Sequence, residues 1–265
     1  MSNLALVSED GQKLETFKRD DLPIAVHGLT VNYGTTPAIY SIDVSIPAGS
    51  LTGIIGPNGA GKSTFLKALM SIEQPVSGHI TFHNQALRDV RDKIAYVPQR
   101  ADVDWDFPAS VSDVVGMGLY SKMGLWGRMG KSAKQKINGA LEKVGLTHFA
   151  DRQIGQLSGG QQQRVFLARA LVQDAEIYLF DEPFAGVDAA TENSIIEILK
   201  ELQDSGKTIL VVHHDLHTVT EYFDHALLLN KRLISFGPTQ DSFTKDYLAK
   251  TYGKPIDPLN REHVI

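Results

Sequence analysis

Apolar and polar positions change rhythm several times along this chain, and each change marks an element. From Ile24 the stretch "IAVHGLTVNY" reads as a β-strand, and "IYSIDVSI" reads as a second. "LTGII" is a short apolar run that enters a Gly-rich loop, with a helix following at about Ser63–Ser71. "SGHITF" and "DKIAYV" read as short strands opened by turn or polar residues. Between about Arg100 and Val172 the spacing becomes helical in "SVSDVVGMGLY" and "KSAKQKINGALEKVGL", broken by the Gly-rich "GLWGRMG". Strands and helices then alternate: strand "EIYLFD", helix "TENSIIEILKELQDSG", strand "KTILVVH", helix "DLHTVTEYF", strand "HALLLN". This order predicts an α/β fold with a mainly parallel sheet, covered on both faces, and a helical insert at about residues 100–172. Residues 1–22 are polar and unpatterned and read as a loose tail.

Composition narrows this only a little. The chain has 265 residues, 42% of them hydrophobic and 22% charged, with a formal net charge of -5. That suits one large soluble domain, or a core with a subdomain. A mildly acidic balance gives no support for a nucleic-acid partner, and none is expected. There is no cysteine, which excludes disulfides and thiolate metal sites. The opening "MSNLALVSEDGQKLETFKRDD" lacks a basic segment followed by a long apolar run, so no signal peptide is expected. Apolar runs such as "TILVV" and "ALLLN" fall far short of the roughly 20 residues that span a bilayer. A cytosolic placement is expected, with any membrane role exerted through a partner.

Three motifs carry chemistry. "GPNGAGKST" fits G-x-x-x-x-G-K-[ST], with Gly56, Gly61, Lys62 and Ser63 in the fixed places. Glycines let the backbone curl so that successive N–H groups face inward, and the helix behind aims its positive end at the same point. Lys62 is expected to reach the β- and γ-phosphates of a nucleotide, and the Ser63 hydroxyl to hold Mg²⁺. "IYLFDEP" places Asp181 and Glu182 at the end of a buried strand, where open parallel sheets bind ligands. Asp181 is expected to act on Mg²⁺ and Glu182 to polarise an attacking water as general base. "LSGGQ" sets Ser158 as an N-cap, with Gly159 and Gly160 baring the backbone before the helix "QQQRVFLARALV". This second anion-binding helix start lies 23 residues before Asp181 and has no lysine of its own.

Gly56–Ser63, Leu157–Gln161 and Ile177–Glu182, in that order, resemble the ATP-binding cassette (ABC) family over about residues 24–240. The resemblance implies a P-loop NTPase fold: a mainly parallel core sheet, an antiparallel β subdomain and an inserted α-helical subdomain. It would fill residues 23–240, between the loose tail 1–22 and a C-terminal tail, 241–265, that either packs on the cassette or meets a partner. ATP and Mg²⁺ are the implied ligands. The phosphate loop would comprise Gly56, Pro57, Asn58, Gly59, Ala60, Gly61, Lys62, Ser63 and Thr64. Tyr33 matches the aromatic that stacks on adenine, and Gln99, in "YVPQ", the glutamine that touches Mg²⁺ and relays to the helical subdomain. Ser158, Gly159, Gly160 and Gln161 would close over the nucleotide of another copy, with Asp188 in the loop that crosses between the two. "HHD" offers two histidines; the family pattern, histidine directly before aspartate, favours His214 as the γ-phosphate contact. His213 and His217 stand four apart, the spacing of a helical metal pair, but no third ligand is evident.

The stretch after Gln99 carries Trp105, Phe107 and Trp126, which either fill the core of the insert or form a docking groove for a partner's helix. Its wording, with "DEPFAGVDAATE" and "VVHHDL", is similar to the ATP-binding subunits of bacterial manganese, zinc and iron importers. Manganese or zinc is the preferred cargo; iron, or a soluble ABC ATPase of iron–sulfur assembly type, is the alternative. This resemblance implies an ATPase at the cytoplasmic face of the inner membrane. It would pair with a second copy of itself and with polytopic permease subunits, and act indirectly with an extracytoplasmic metal-binding protein.

Overall fold

The computed structural model describes residues 4–7, 13–17, 22–120 and 130–255. Its strands, in chain order, are β1 (Leu4–Val7), β2 (Lys13–Phe17), β3 (Ile24–Tyr33), β4 (Thr36–Ile46), β5 (Leu51–Ile55), β6 (Ser77–Thr81), β7 (Ile94–Val97), β8 (Ile177–Asp181), β9 (Thr208–His213), β10 (His225–Asn230) and β11 (Arg232–Pro238). Six form the main sheet in the order β11-β10-β5-β9-β8-β7, and three form an antiparallel sheet in the order β4-β3-β6. Within the main sheet only the β10–β11 pairing is antiparallel. The expected α/β fold, with parallel core, antiparallel subdomain and helical insert, is what the chain adopts.

The central strands are mostly apolar because both of their faces are covered. On β5, β8 and β9, side chains alternate between two cores. Leu51, Ile55, Tyr178, Phe180, Ile209 and Val211 face the helical insert side. Ile54, Ile177, Leu179, Leu210 and Val212 face the antiparallel sheet and the Lys62–Leu69 helix. That helix buries Phe65, Leu66 and Leu69, a spacing that fits one helical stripe. Complete burial of a side chain the size of Phe65 contributes about 1.5–3 kcal/mol. On the other side, the Ala189–Asp204 helix buries Ile195, Ile196, Ile198 and Leu199.

The insert is built on the Gly159–Gln173 helix, which packs Val165 and Phe166 into a core with Val111, Val114, Val115, Ile137 and Leu141. Its first helix, Val111–Gly116, opens on a capping box in which Ser110 and Asp113 satisfy each other's backbone N–H groups. It then tightens into a 3₁₀ turn at Met117–Leu119, which the sequence reading took as continuous helix. At Gly118 the chain passes so close to Arg169 O that a Cβ would collide with it. The break expected at "GLWGRMG", and Trp126 within it, fall almost wholly outside the described residues.

Two other expectations differ from the structure. In the stretch 1–22, read as a loose tail, Leu4–Val7 pairs antiparallel with Lys13–Phe17. "DLHTVTEYF" is helical only at Val219–Tyr222. Ahead of it, Asp215 Oδ1 accepts the His217 N–H at 2.9 Å and the Thr218 hydroxyl donates to Asp215 O at 3.2 Å, which fixes a turn instead. Past residue 240 the chain forms a helix, Lys245–Tyr252, whose Leu248 is buried and whose Thr251 O accepts from Asn230 Nδ2 at 2.8 Å. Of the two alternatives expected for the C-terminal tail, residues 242–252 thus adopt packing on the cassette.

Candidate functional site

Register places four loops side by side. Ile55 pairs with His213, Asp181 with Val212, and Phe180 with Val97. Because β5, β9, β8 and β7 are parallel neighbours, the residues that follow them emerge at one edge: Gly56, His214, Glu182 and Gln99. A crevice at the carboxyl ends of parallel strands is where such sheets hold ligands.

The Gly56 loop is closed by its own backbone. Ala60 N donates to Pro57 O at 3.1 Å and Phe65 N to Gly61 O at 2.8 Å. Gly61 takes φ 92° at the N-cap, and no side chain caps the first turn of the Lys62–Leu69 helix. The N–H groups of that turn are thus left to the loop. Gly56 itself has no room for a Cβ, which would collide with Leu229 O. Lys62 is buried and folds back, its Nζ donating to Gly56 O at 2.8 Å and Pro57 O at 3.0 Å. Burial lowers the pKa of this ammonium, and the nearby Glu182 and Asp181 charges oppose that shift.

Asp181 is fully buried. Its Oδ1 accepts the Ser63 hydroxyl at 2.8 Å, while its Oδ2 has no hydrogen-bond partner. Burial is the main reason its pKa is pushed up to about 6; the Ser63 hydrogen bond pulls the other way, and the Glu182 charge adds to the rise. A buried carboxylate with one orphaned oxygen beside a hydroxyl is a set of hard oxygen donors, and it fits Mg²⁺. Glu182 follows at φ 52°, a left-handed conformation that costs a residue with a Cβ about 1–2 kcal/mol. Its Oε2 accepts from Gln99 Nε2 at 2.9 Å.

The two histidines of "HHD" have different environments. His213 is buried at the end of β9, with Nε2 2.7 Å from Thr218 Oγ1 and its ring edge-on to Phe184 at 5.4 Å. Burial foremost, then the neighbouring His214, pulls its pKa down to about 4. His214 is exposed at the strand-end edge. The helical metal pair considered for His213 and His217 does not form: His213 ends a strand and His217 sits in the turn after it. Among the described residues no group of three metal-ligating side chains occurs.

Tyr33, at the end of β3, is 52% exposed. Its hydroxyl donates to Glu73 Oε1 at 3.1 Å and lies 3.3 Å from Thr64 Oγ1, so the ring stands beside the Lys62–Leu69 helix. Ser158 and Asp188 lie elsewhere. Ser158 Oγ accepts from Gln161 N, and Gln161 Oε1 accepts from Ser158 N at 2.9 Å, a capping box on an exposed helix start. Asp188 caps the Ala189–Asp204 helix through Thr191 N at 2.8 Å, and that hydrogen bond lowers its carboxyl pKa. Among the described residues neither makes a hydrogen bond to the Gly56 loop. Of the aromatics after Gln99, Trp105 packs edge-on to Phe166 at 5.2 Å, whereas Phe107 is 55% exposed.

Two contacts of this site escaped the sequence reading. Lys67 Nζ lies 2.7 Å from Asp102 Oδ2, and Arg100 donates twice to Gln162 Oε1. The available signal was Lys67 itself, one helical turn after Ser63 and hence on the same face.

Comparison with known proteins bears on this arrangement. Residues 39–185 match the family described as ABC transporter. The chain is 54% identical to the manganese transport system ATP-binding protein MntB of Bacillus subtilis (strain 168), over 87% of this chain and 92% of that protein. It is also 54% identical to the zinc transport system ATP-binding protein TroB of Treponema pallidum (strain Nichols), over 88% of each. Among solved structures it resembles cbiO1 from Clostridium perfringens, part of the ABC transporter complex cbiONQ. That match has a TM-score of 0.71 and 31% identity, and covers 87% of this chain and 94% of that one. The chain belongs to the ABC transporter family and is a nucleotide-binding ATPase of it.

Proposed function

We propose that this chain is the ATP-hydrolysing subunit of an importer for divalent metal ions, manganese or zinc. The single observation that carries the chemistry is the pairing of Ser63 with Asp181 and of Gln99 with Glu182, beside Lys62. The manganese and zinc systems of the two relatives at 54% identity support the cargo.

In this reading the Gly56 loop and the first turn of its helix hold the phosphates of ATP through backbone N–H groups. Lys62 leaves its loop carbonyls for the β- and γ-phosphates. Ser63, Asp181 and Gln99 would hold Mg²⁺, which would supply positive charge beside the phosphate oxygens. Tyr33 stacks on adenine. Glu182 takes a proton from water as the water oxygen bonds to the γ-phosphorus. The bond from that phosphorus to the bridging oxygen breaks, ADP carries away the electron pair, and phosphate is released. His214, at the same edge, contacts the γ-phosphate. Water exclusion needs a second surface, and Ser158 through Gln161 and Asp188 supply it from another copy. The exposure of Ser158 and Asp188, and their lack of hydrogen bonds to the Gly56 loop of their own chain, support that arrangement. The transport systems of its relatives support a cargo path through permease subunits, at whose cytoplasmic face the chain works. An extracytoplasmic binding protein hands metal to those subunits.

Uptake of manganese, zinc and iron by cells lacking this chain tests the assignment. Loss of manganese or zinc uptake, restored by the chain but not by its Glu182→Gln variant, is expected. Unchanged uptake of both metals overturns it.

A further inference from the structure

Gln99 is followed by a single 3₁₀ turn, Arg100–Asp102, and each end of that turn is tied to a different wall of the molecule. On one side, the Asp102 carboxylate meets Lys67 Nζ at 2.7 Å. Lys67 lies four residues after Ser63 on the Lys62–Leu69 helix, so the two share a face. On the other side, Arg100 Nε and Nη2 donate to Gln162 Oε1 at 3.1 and 2.9 Å. Gln162 is buried near the start of the Gly159–Gln173 helix, and its Nε2 donates to Ile154 O at 3.2 Å. Arg100 O also accepts from Trp105 Nε1 at 2.9 Å, and the Trp105 ring rests on Phe166 of the same helix. The Arg100 guanidinium lies against Gly159: a Cβ there would be in ordinary van der Waals contact with it, at 3.4 Å from Cζ.

The Lys67 and Asp102 side chains are 23% and 38% exposed. Ion pairs this open to water contribute little to stability, because solvent screens them and ordering two side chains costs entropy. What the pair does strongly is fix a position. It sits three residues beyond Gln99, whose amide holds Glu182. The Asp102 hydrogen bond raises the pKa of the Lys67 ammonium.

We propose that Lys67 and Asp102 are positioning residues for hydrolysis. They pin the Arg100–Asp102 turn to the phosphate-loop helix, so that the Gln99 amide stays on the Glu182 carboxylate. Arg100 extends the same brace to the Ser158 helix through Gln162. This inference rests on the roles proposed above for Gln99 and Glu182.

Steady-state ATP hydrolysis by the purified full chain tests it, using Lys67→Ala, Asp102→Ala, both together, and the swapped pair Lys67→Asp with Asp102→Lys. Each single change is expected to lower kcat about tenfold, the scale set by slight misplacement of a reacting group. KM for ATP and the thermal unfolding midpoint should stay at their wild-type values. The double variant should be no slower than the singles, and the swapped pair should recover most of the lost rate. Single variants at full kcat overturn the proposal. So does a double variant whose loss is the product of the single losses, or a swap that recovers nothing. A wild-type chain without hydrolysis would instead sink the ATPase reading itself, a result distinct from an active wild type with unaffected variants.

Discussion

Gln99 and Glu182 leave adjacent parallel strands and meet at 2.9 Å, Nε2 donating to Oε2. A neutral amide thereby orients the carboxylate. In the proposed mechanism Gln99→Ala leaves Glu182 unaimed, and kcat should fall about tenfold to a hundredfold with KM for ATP little changed. Single-turnover hydrolysis checks this. An unchanged rate would show that the contact has no part in catalysis.

Asp181 gives the site a pH dependence. Its carboxyl is pushed up to about 6, so below that pH it carries a proton and offers no charge to a cation. Affinity for Mg²⁺ in the presence of ATP should therefore weaken as pH falls through about 6, because protons and metal compete for one group. Calorimetric titration at a series of pH values measures it. Asp181→Asn should bind Mg²⁺ poorly at every pH and show no such transition.

His213 gives the stability of the fold its own pH dependence. Its pKa falls from 6.5 to about 4 in the folded chain, so the fold favours the neutral ring. That contribution is fully present above pH 6.5 and is lost as pH falls towards 4; it is on the order of 3 kcal/mol. His213→Gln should flatten the decline of unfolding free energy across this window. His214→Ala, at an exposed position, should leave stability intact and reduce kcat.

Tyr33 is held by Glu73 and stands beside Thr64, with half of its surface free. If adenine stacks there, Tyr33→Ala should weaken ATP binding by about 1–3 kcal/mol while the unfolding midpoint stays in place. Equal affinity in the variant would place the base elsewhere.

Gly118 tests the packing of the insert. A Cβ at this position meets Arg169 O, a backbone atom that cannot swing away. Gly118→Ala should destabilise the chain by about 1–3 kcal/mol, read from denaturant unfolding.

These elements differ in how plainly the sequence announces them. The strands of the main sheet read as unbroken apolar runs because both of their faces are buried, and "LTGII", "EIYLFD" and "KTILVVH" were placed within a residue or so. The Gly-rich loop after β5 was legible because close backbone approach demands glycine, as the contact of Gly56 with Leu229 O illustrates. Other features depend on partners distant in sequence. The Lys67–Asp102 and Arg100–Gln162 pairs join residues that no local pattern relates. The burial of His213 follows from its register opposite Ile55 in the sheet, which "VVHHD" alone does not reveal. The β11 strand and the Lys245–Tyr252 helix carry short, interrupted apolar stretches, and only docking on β10 and its neighbours gives them a buried face.

The most direct measurement compares ATP binding and phosphate release in the wild-type chain and in Glu182→Gln, side by side. The account predicts ATP affinity within about threefold of wild type and phosphate release slower by about a thousandfold or more, since only the proton acceptor is lost. Phosphate release at the wild-type rate in Glu182→Gln, or a wild-type chain with no affinity for ATP, would contradict it.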